Sequence, residues 1–407
     1  MNIMESTPVS ERILAFNQSR DAATIPLKYT LMRESSFRFL RGSCHLFYEQ
    51  IDKELLPVSP AAWLCGDLHL ENFGSFKGSD KQVYFDINDF DEAILGPASW
   101  DVVRLLTSTI TACGNAGFPY TYTKKLLQQL AEGYFTTLQN GKAKTVERET
   151  ATGLIKELFT KTAERKEKKI IQDRADAVTG FTKLLNDNSK KLFTINDKGL
   201  KRELIRTIQG WLNKKHGQNT RKILDLSFVV AGTGSIGIKK YLALINKPAT
   251  GKKYLLLIKQ ALPSSLQPYI SIKQPAWKND AERICSIQYR MQHVIPGDSD
   301  TLFFREDCYT TRWIQPAADK ISFDSFTKEK NQHNSLMNTL GGLVASGQLR
   351  SCSRQGSVSA DELIAFGADQ SVIVPLIAAA KIYAAINEKN YKEFCRSYDK
   401  GVFDLKK

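Results

Sequence analysis

Four aspartates, Asp67, Asp86, Asp89 and Asp91, crowd with Asn72 into and beside two short strand patterns. Residues 61–65 are an apolar run ending at Gly66, and in residues 82–88 Val83, Phe85 and Ile87 alternate with polar neighbours, the period of a half-buried strand. Carboxylates packed this densely cap turns or gather around a cation, because otherwise they repel one another. An acid straight after a strand, an amide five residues on and another acid at the end of the next strand are the hard oxygen donors of a magnesium and phosphate site. The spacing predicts Asp67 as the catalytic residue that orients or deprotonates an attacking hydroxyl. Asn72 and Asp89 are the expected Mg2+ ligands, with Asp86 and Asp91 near enough to compete. Asp67 and His69 also spell the D-x-H that begins a two-metal phosphoesterase site, but no further His-rich ligand motif follows.

A second pattern lies far downstream. Gly232-Thr-Gly-Ser-Ile-Gly237 matches G-x-G-x-x-G, which serves both dinucleotide-binding folds and protein kinases. In a dinucleotide fold the loop opens a helix and an acid about 20 positions later binds ribose. Here it joins two strand patterns, and residues 226–279 contain no Asp or Glu. A glycine hairpin whose bare N–H groups cover a triphosphate fits better, which makes Gly232, Gly234 and Gly237 expected contacts for ATP. Lys259 ends the apolar strand 255–258, where a lysine for the α- and β-phosphates is expected, and Glu282 on the next helix is its expected ion-pair partner.

The 407 residues exceed the roughly 250 to 300 at which one core stops growing, so two lobes around a cleft are expected. Residues 1–60 read as helical, with Phe37, Leu40, Cys44, Phe47 and Ile51 on one stripe, and helical patterning runs from Ser99 to about Trp211. Residues 216–221 read as a linker. Beyond them come three strand patterns at 226–231, 236–245 and 254–258, a helix around 281–292, two strands at 301–304 and 309–314 and a helical C-terminus. Seven scattered cysteines without a C-x-x-C pair argue against a disulfide framework or a cysteine zinc site, which predicts a cytoplasmic protein. Residues 1–10 lack a signal pattern, and the longest apolar stretch, 372–380, is too short to span a bilayer, so no membrane partner is expected.

The net charge of +14 is concentrated in the middle of the chain. Residues 151–222 hold 18 Lys and Arg against 8 Asp and Glu, and residues 223–278 hold eight lysines against Asp225 alone. One-signed charge at a cleft recruits an oppositely charged ligand, so nucleotide phosphate, an acidic substrate and nucleic acid all qualify as partners. An aromatic ladder for RNA is missing, which places nucleic acid behind a nucleotide with a small-molecule acceptor.

Residues 66–74 (GDLHLENFG) and 87–108 (INDFDEAILGPASWDVVRLLTS), preceded by 39–42 (FLRG), resemble the uncharacterised bacterial family numbered domain of unknown function 2252 over most of the chain. The loop text is in turn similar to the aminoglycoside phosphotransferase and choline kinase group, with H-G-D-x-H-x-x-N ahead of an I-D-F strand end. That resemblance implies Asp67 as catalytic aspartate, Asn72 and Asp89 as metal ligands and Asp101 as a structural acid. Cys65 stands where those kinases often have His, and Gln348 where the family often carries one.

In ordinary kinases the glycine loop and lysine precede the catalytic loop, whereas here they follow it. The implied fold is α+β, a bilobal protein-kinase-like fold that is circularly permuted. Residues 1–222 would form a helical lobe with the catalytic loop and metal-binding acids, 223–320 a small antiparallel-sheet nucleotide-binding lobe, and 321–407 the C-terminal helices completing the first. The expected function is ATP- and Mg2+-dependent phosphotransfer to a small hydroxylated acceptor of unknown identity. Nucleotidyl (AMP) transfer on the same fold, or non-catalytic binding of a nucleotide or nucleic acid, are the alternatives.

Overall fold

The computed structural model describes residues 7–404 apart from 79, 179–180, 185–190, 296, 298, 315–318 and 329–331. The first helical stretch breaks into α1 (Val9–Asn17), α2 (Ile25–Arg33), α3 (Ser36–Gly42) and α4 (Cys44–Glu49), α3 being capped by the Ser35 hydroxyl accepting from Arg38 N. Strands β1 (Ala61–Leu64), β2 (Phe73–Lys77), β3 (Val83–Ile87) and β4 (Ile94–Pro97) follow. β2 pairs antiparallel with β3, Phe73 facing Ile87, and β1 pairs with β4. Both acid-bearing loops thus emerge at one end of a hairpin, and Asn88 N donates to Asn72 O at 2.8 Å to join them.

Helices α5 (Ser99–Asn115), α6 (Tyr120–Gln139), α7 (Gly153–Glu164) and α8 (Glu167–Gln172) lead to short strands β5 (Ala175–Val178), β6 (Phe181–Leu184) and β7 (Leu192–Phe193), then α9 (Lys198–His216). The sheet proper is β8 (Lys222–Val229), β9 (Lys240–Lys247) and β10 (Lys252–Gln260), then α10 (Asp280–Met291), then β11 (Ser299–Phe304) and β12 (Asp307–Trp313). With β7 at one edge it forms an antiparallel sheet in the order β11-β12-β10-β9-β8-β7. Leu204, Ile208 and Leu212, at four-residue spacing on α9, cover the sheet side chains Leu226, Tyr241, Ala243, Leu256 and Ile258.

The chain returns through β13 (Asp319–Lys320), which pairs with β2 beside the acidic hairpin, into α11 (Phe323–Lys328), α12 (His333–Ser351), α13 (Ala360–Ala368) and α14 (Ile373–Asp399). The segment after α12 runs beside β1: Val358 N donates to Ala61 O at 2.9 Å and Trp63 Nε1 to Arg354 O at 3.0 Å. Residues from both ends of the chain share a core of Val9, Ile13, Tyr29, Phe394 and Phe403. Gln370–Asp399 is long and apolar enough by length and composition to cross a membrane, a longer stretch than the 372–380 run read from sequence. Its Leu376, Ala379, Ala380 and Tyr383 are buried in the large core with α5.

Candidate active site

The loop after β1 is held from below by one face of α5. Asp101 and Arg104, three residues apart, both reach it. Asp101 accepts from Cys65 N at 2.7 Å and Gly66 N at 2.9 Å, so the loop is fixed through its backbone. Arg104, 0% exposed, donates to Leu40 O and to Asp67 Oδ1, both at 2.7 Å. Among the described residues no hydrogen bond reaches Asp67 Oδ2, which leaves that oxygen as the available one. Burial raises the Asp67 carboxyl and Arg104 partly offsets the rise. Asn72 Nδ2 donates to Asp67 O at 2.6 Å, which turns its Oδ1 into the free acceptor. His69 is buried, accepts from Arg41 Nε at 3.1 Å, and stays neutral because burial and then Arg41 disfavour its charge. Arg41 also bridges Glu71 at 2.6 Å.

In the loop after β3 the aspartates separate. Asp86 is buried, accepts from His293 N and lies 3.6 Å from Arg350, so it turns away from the cleft and holds structure. Asp91 pairs with Lys259, and Asp89 lies 3.9 Å from the same ammonium with 51% of its side chain exposed. Partial desolvation by the cleft walls opposes ionisation of the half-exposed Asp89, but Lys259, the Asp91 amide and Lys240 together hold its carboxyl below the usual value. Conversely, burial lowers Lys259 but Asp89 and Asp91 outweigh it. The predicted Lys259–Glu282 pair is not formed. Glu282 lies in the first turn of α10 and accepts from Lys278 N at 2.6 Å, while the α10 side chains that share a cavity with Lys259 are Ile284 and Gln288. Arg283, one position along, points inward instead, donating to Asp91 O at 3.1 Å, Leu262 O at 2.8 Å and Ala93 O. It ties α10 to the acidic loop.

The glycine hairpin between β8 and β9 lies against the loop of Asp67. A Cβ at Gly234 would stand 2.9 Å from Arg41 O and 3.9 Å from Asp67 Oδ2, so the close approach requires glycine there. The N-terminal helices hold the hairpin in place. Arg20 Nη1 donates to Gly234 O at 2.6 Å and Ile236 O at 2.9 Å, and Lys28, 0% exposed, contacts Gly234 O at 3.4 Å.

Asp67, Asn72, Asp89, Asp91, Gly232 and Gly234 line one cavity of about 270 Å³. Lys259 lines a second of about 440 Å³, which shares Asn88, Asp89, Asp91, Gly232, Ser235 and Arg312 with the first. The early acids and the late glycine and lysine therefore do meet, while Gly237 packs against Arg20 outside both linings and Glu282 stays away. Arg104, Arg20, Lys28, Arg283 and Lys240 escaped the sequence reading. The position of Arg104 one turn after Asp101 was the available signal for the first.

Among the described residues no three His, Cys, Asp or Glu side chains are grouped for a metal. Mg2+ needs only one or two carboxylates, completed by phosphate and water, so the half-exposed Asp89 with the free Oδ1 of Asn72 fits that ion's habits. These features define an α+β protein with a charged cleft between an antiparallel sheet and an acidic hairpin. Over residues 20–397 the chain matches the family described as an uncharacterized protein conserved in bacteria, DUF2252, and it belongs to that family. No curated protein and no solved structure matches it.

Proposed function

We propose that the protein is a kinase-like phosphotransferase using ATP and Mg2+ on a small hydroxylated acceptor. The observation that carries this is the shared cleft: Asp67, Asn72, Asp89 and the glycine hairpin line one cavity, and Lys259 opens into its neighbour. In protein kinases the glycine loop covers the phosphates, the lysine stands on the third strand and a helix follows. Here the hairpin joins β8 to β9, Lys259 lies on β10 and α10 follows. The contact of Val358 with Ala61 supports the permuted reading, since it sets the end of the α12 segment beside the start of the Asp67 strand.

ATP with Mg2+ would supply the phosphoryl group and neutralise its charge, held by Asn72 and Asp89. Asp67 Oδ2 takes the proton of the acceptor hydroxyl, while Arg104 fixes the other oxygen and so the angle of the carboxylate. Lys259, released from Asp91, contacts phosphate oxygens, and Arg283 keeps the acidic loop in register.

Asp67→Asn should lower turnover by roughly 10² to 10⁴-fold. It also strips the buried Arg104 of its counter-charge, a loss of roughly 3 to 5 kcal/mol. Asp89→Asn is the cleaner probe because that side chain is half exposed. Mg2+ with ATP should raise the melting temperature of the wild-type chain and not of Asp89→Asn. A wild-type melting temperature that no nucleoside triphosphate moves would sink the reading.

A further inference from the structure

Lys240 opens β9 directly after the glycine hairpin, and the register of β9 and β10 sets it opposite Lys259. Residues so paired present their side chains to one face, and like charges there destabilise the sheet. Both lysines line the 440 Å³ cavity together with Arg312. The nearby carboxylates are already engaged, because Asp91 and Asp89 face Lys259. Lys240 is 6% exposed, and its Nζ donates to two neutral oxygens, Ala231 O at 2.7 Å and Ser235 Oγ. Among the described residues it has no carboxylate partner. A buried cation without a counter-charge is costly to keep. Burial, and then Lys259 across the sheet, push its ammonium down to about 7. One anchor, Ala231, immediately precedes the glycine hairpin and the other, Ser235, lies within it, so the ammonium sits against the loop whose backbone N–H groups would cover phosphate.

We propose that Lys240 is a second polyphosphate-binding lysine, contacting a nucleoside triphosphate from beneath the glycine hairpin while Lys259 contacts it from the neighbouring strand. This rests on the nucleotide reading above and extends it to a residue of β9. The competing role is a staple that only shapes the hairpin. A staple should affect nucleoside and nucleotide alike, whereas a phosphate contact should distinguish them.

The test is calorimetric binding of Mg-ATP and of adenosine to the full chain and to Lys240→Gln, Lys240→Met and Lys240→Arg, with folding checked by circular dichroism. Methionine keeps the unbranched stem and most of the volume, so it serves if glutamine unfolds the sheet. Removing one charge-assisted contact should weaken Mg-ATP by about tenfold or more, with adenosine unchanged within about twofold and Lys240→Arg close to wild type. Equal losses for Mg-ATP and adenosine, or an unchanged Mg-ATP affinity, would overturn the assignment of Lys240 while leaving the nucleotide reading intact. If the wild-type chain binds no Mg-ATP, that reading fails and Lys240 falls with it.

Discussion

Asp101 lies wholly inside the protein, yet its carboxylate is what the loop amides of Cys65 and Gly66 bind. Burial lifts its carboxyl, the two amides pull it down and Asp67 pushes it up again, the balance standing at about 7. The folded value thus exceeds the unfolded value of roughly 3.9, and the native state holds a proton that the unfolded chain has released. The associated stability is complete below about pH 4 and is lost as pH rises through 7. Burial shifts Asp67, Asp86 and Glu92 the same way, while Asp89 and Glu71 are shifted oppositely. Denaturant midpoints should therefore fall between about pH 5 and pH 8, and Asp101→Asn should flatten that fall, its loss of about 1 kcal/mol appearing at the acid end of the range, where the wild-type carboxyl is protonated, and shrinking as pH rises. An unchanged slope in the variant would mean that Asp101 does not titrate in this window. At this scale Asp67, Asn72 and Asp89, picked out by local spacing, do line one cavity. The sequence reading missed inward partners chosen by helix register. Glu282 and Arg283 are adjacent in sequence, and only the seating of α10 decides that the arginine meets the acidic loop.

Elements were legible where periodicity was strong, as in β3, β9, β10 and α5, because alternation or a helical stripe survives any tertiary arrangement, whereas β2 lies in a stretch without such a pattern. What each element packs on was less legible. The sequence reading kept α9 with the helical lobe, but its Leu204, Ile208 and Leu212 cover the sheet. The N-terminal helices reach the glycine hairpin across more than 200 residues, a contact that no local pattern announces. Glycines inside helices show the same division. A Cβ at Gly341 on α12 would stand 2.0 Å from Leu130 O, and one at Gly133 on α6 equally close to Asn338 O, so these two helices touch backbone to backbone. A Cβ at Gly210 on α9 would meet nothing within 4 Å. Gly341→Ala should destabilise by about 1 to 3 kcal/mol or more, because the helices must separate. Gly210→Ala should stabilise by about 0.5 to 1 kcal/mol, because only backbone entropy changes. Denaturant melts of the two variants moving in the same direction would contradict this account of the α6 and α12 contact.

For the whole molecule, two motifs that lie far apart along the chain meet in space. The acidic loops come from residues 67–91 and the hairpin and lysine from 232–259, yet they share one cleft. Two junctions make this possible. The α12 exit lies against β1, and the two ends of the chain lie against each other, with Val9 N donating to Glu393 Oε1 at 2.7 Å and the Tyr29 and Phe403 rings 4.7 Å apart. A chain opened in the exposed turn between α9 and β8, with residues 404 and 7 joined by a flexible linker, would run glycine hairpin first and Asp67 loop last. Every packed element would keep its neighbours, and new termini in an exposed turn are well tolerated. Such a permutant should retain the circular dichroism spectrum and cooperative melting of the parent, and its affinity for Mg-ATP if the parent has one. The cost of closing the new linker in the folded permutant rises only slowly with its length, so its exact length should matter little. A permutant that is insoluble or melts without cooperativity would show that the native order of synthesis, and not only the final contacts, is needed to bring the acidic hairpin under the sheet.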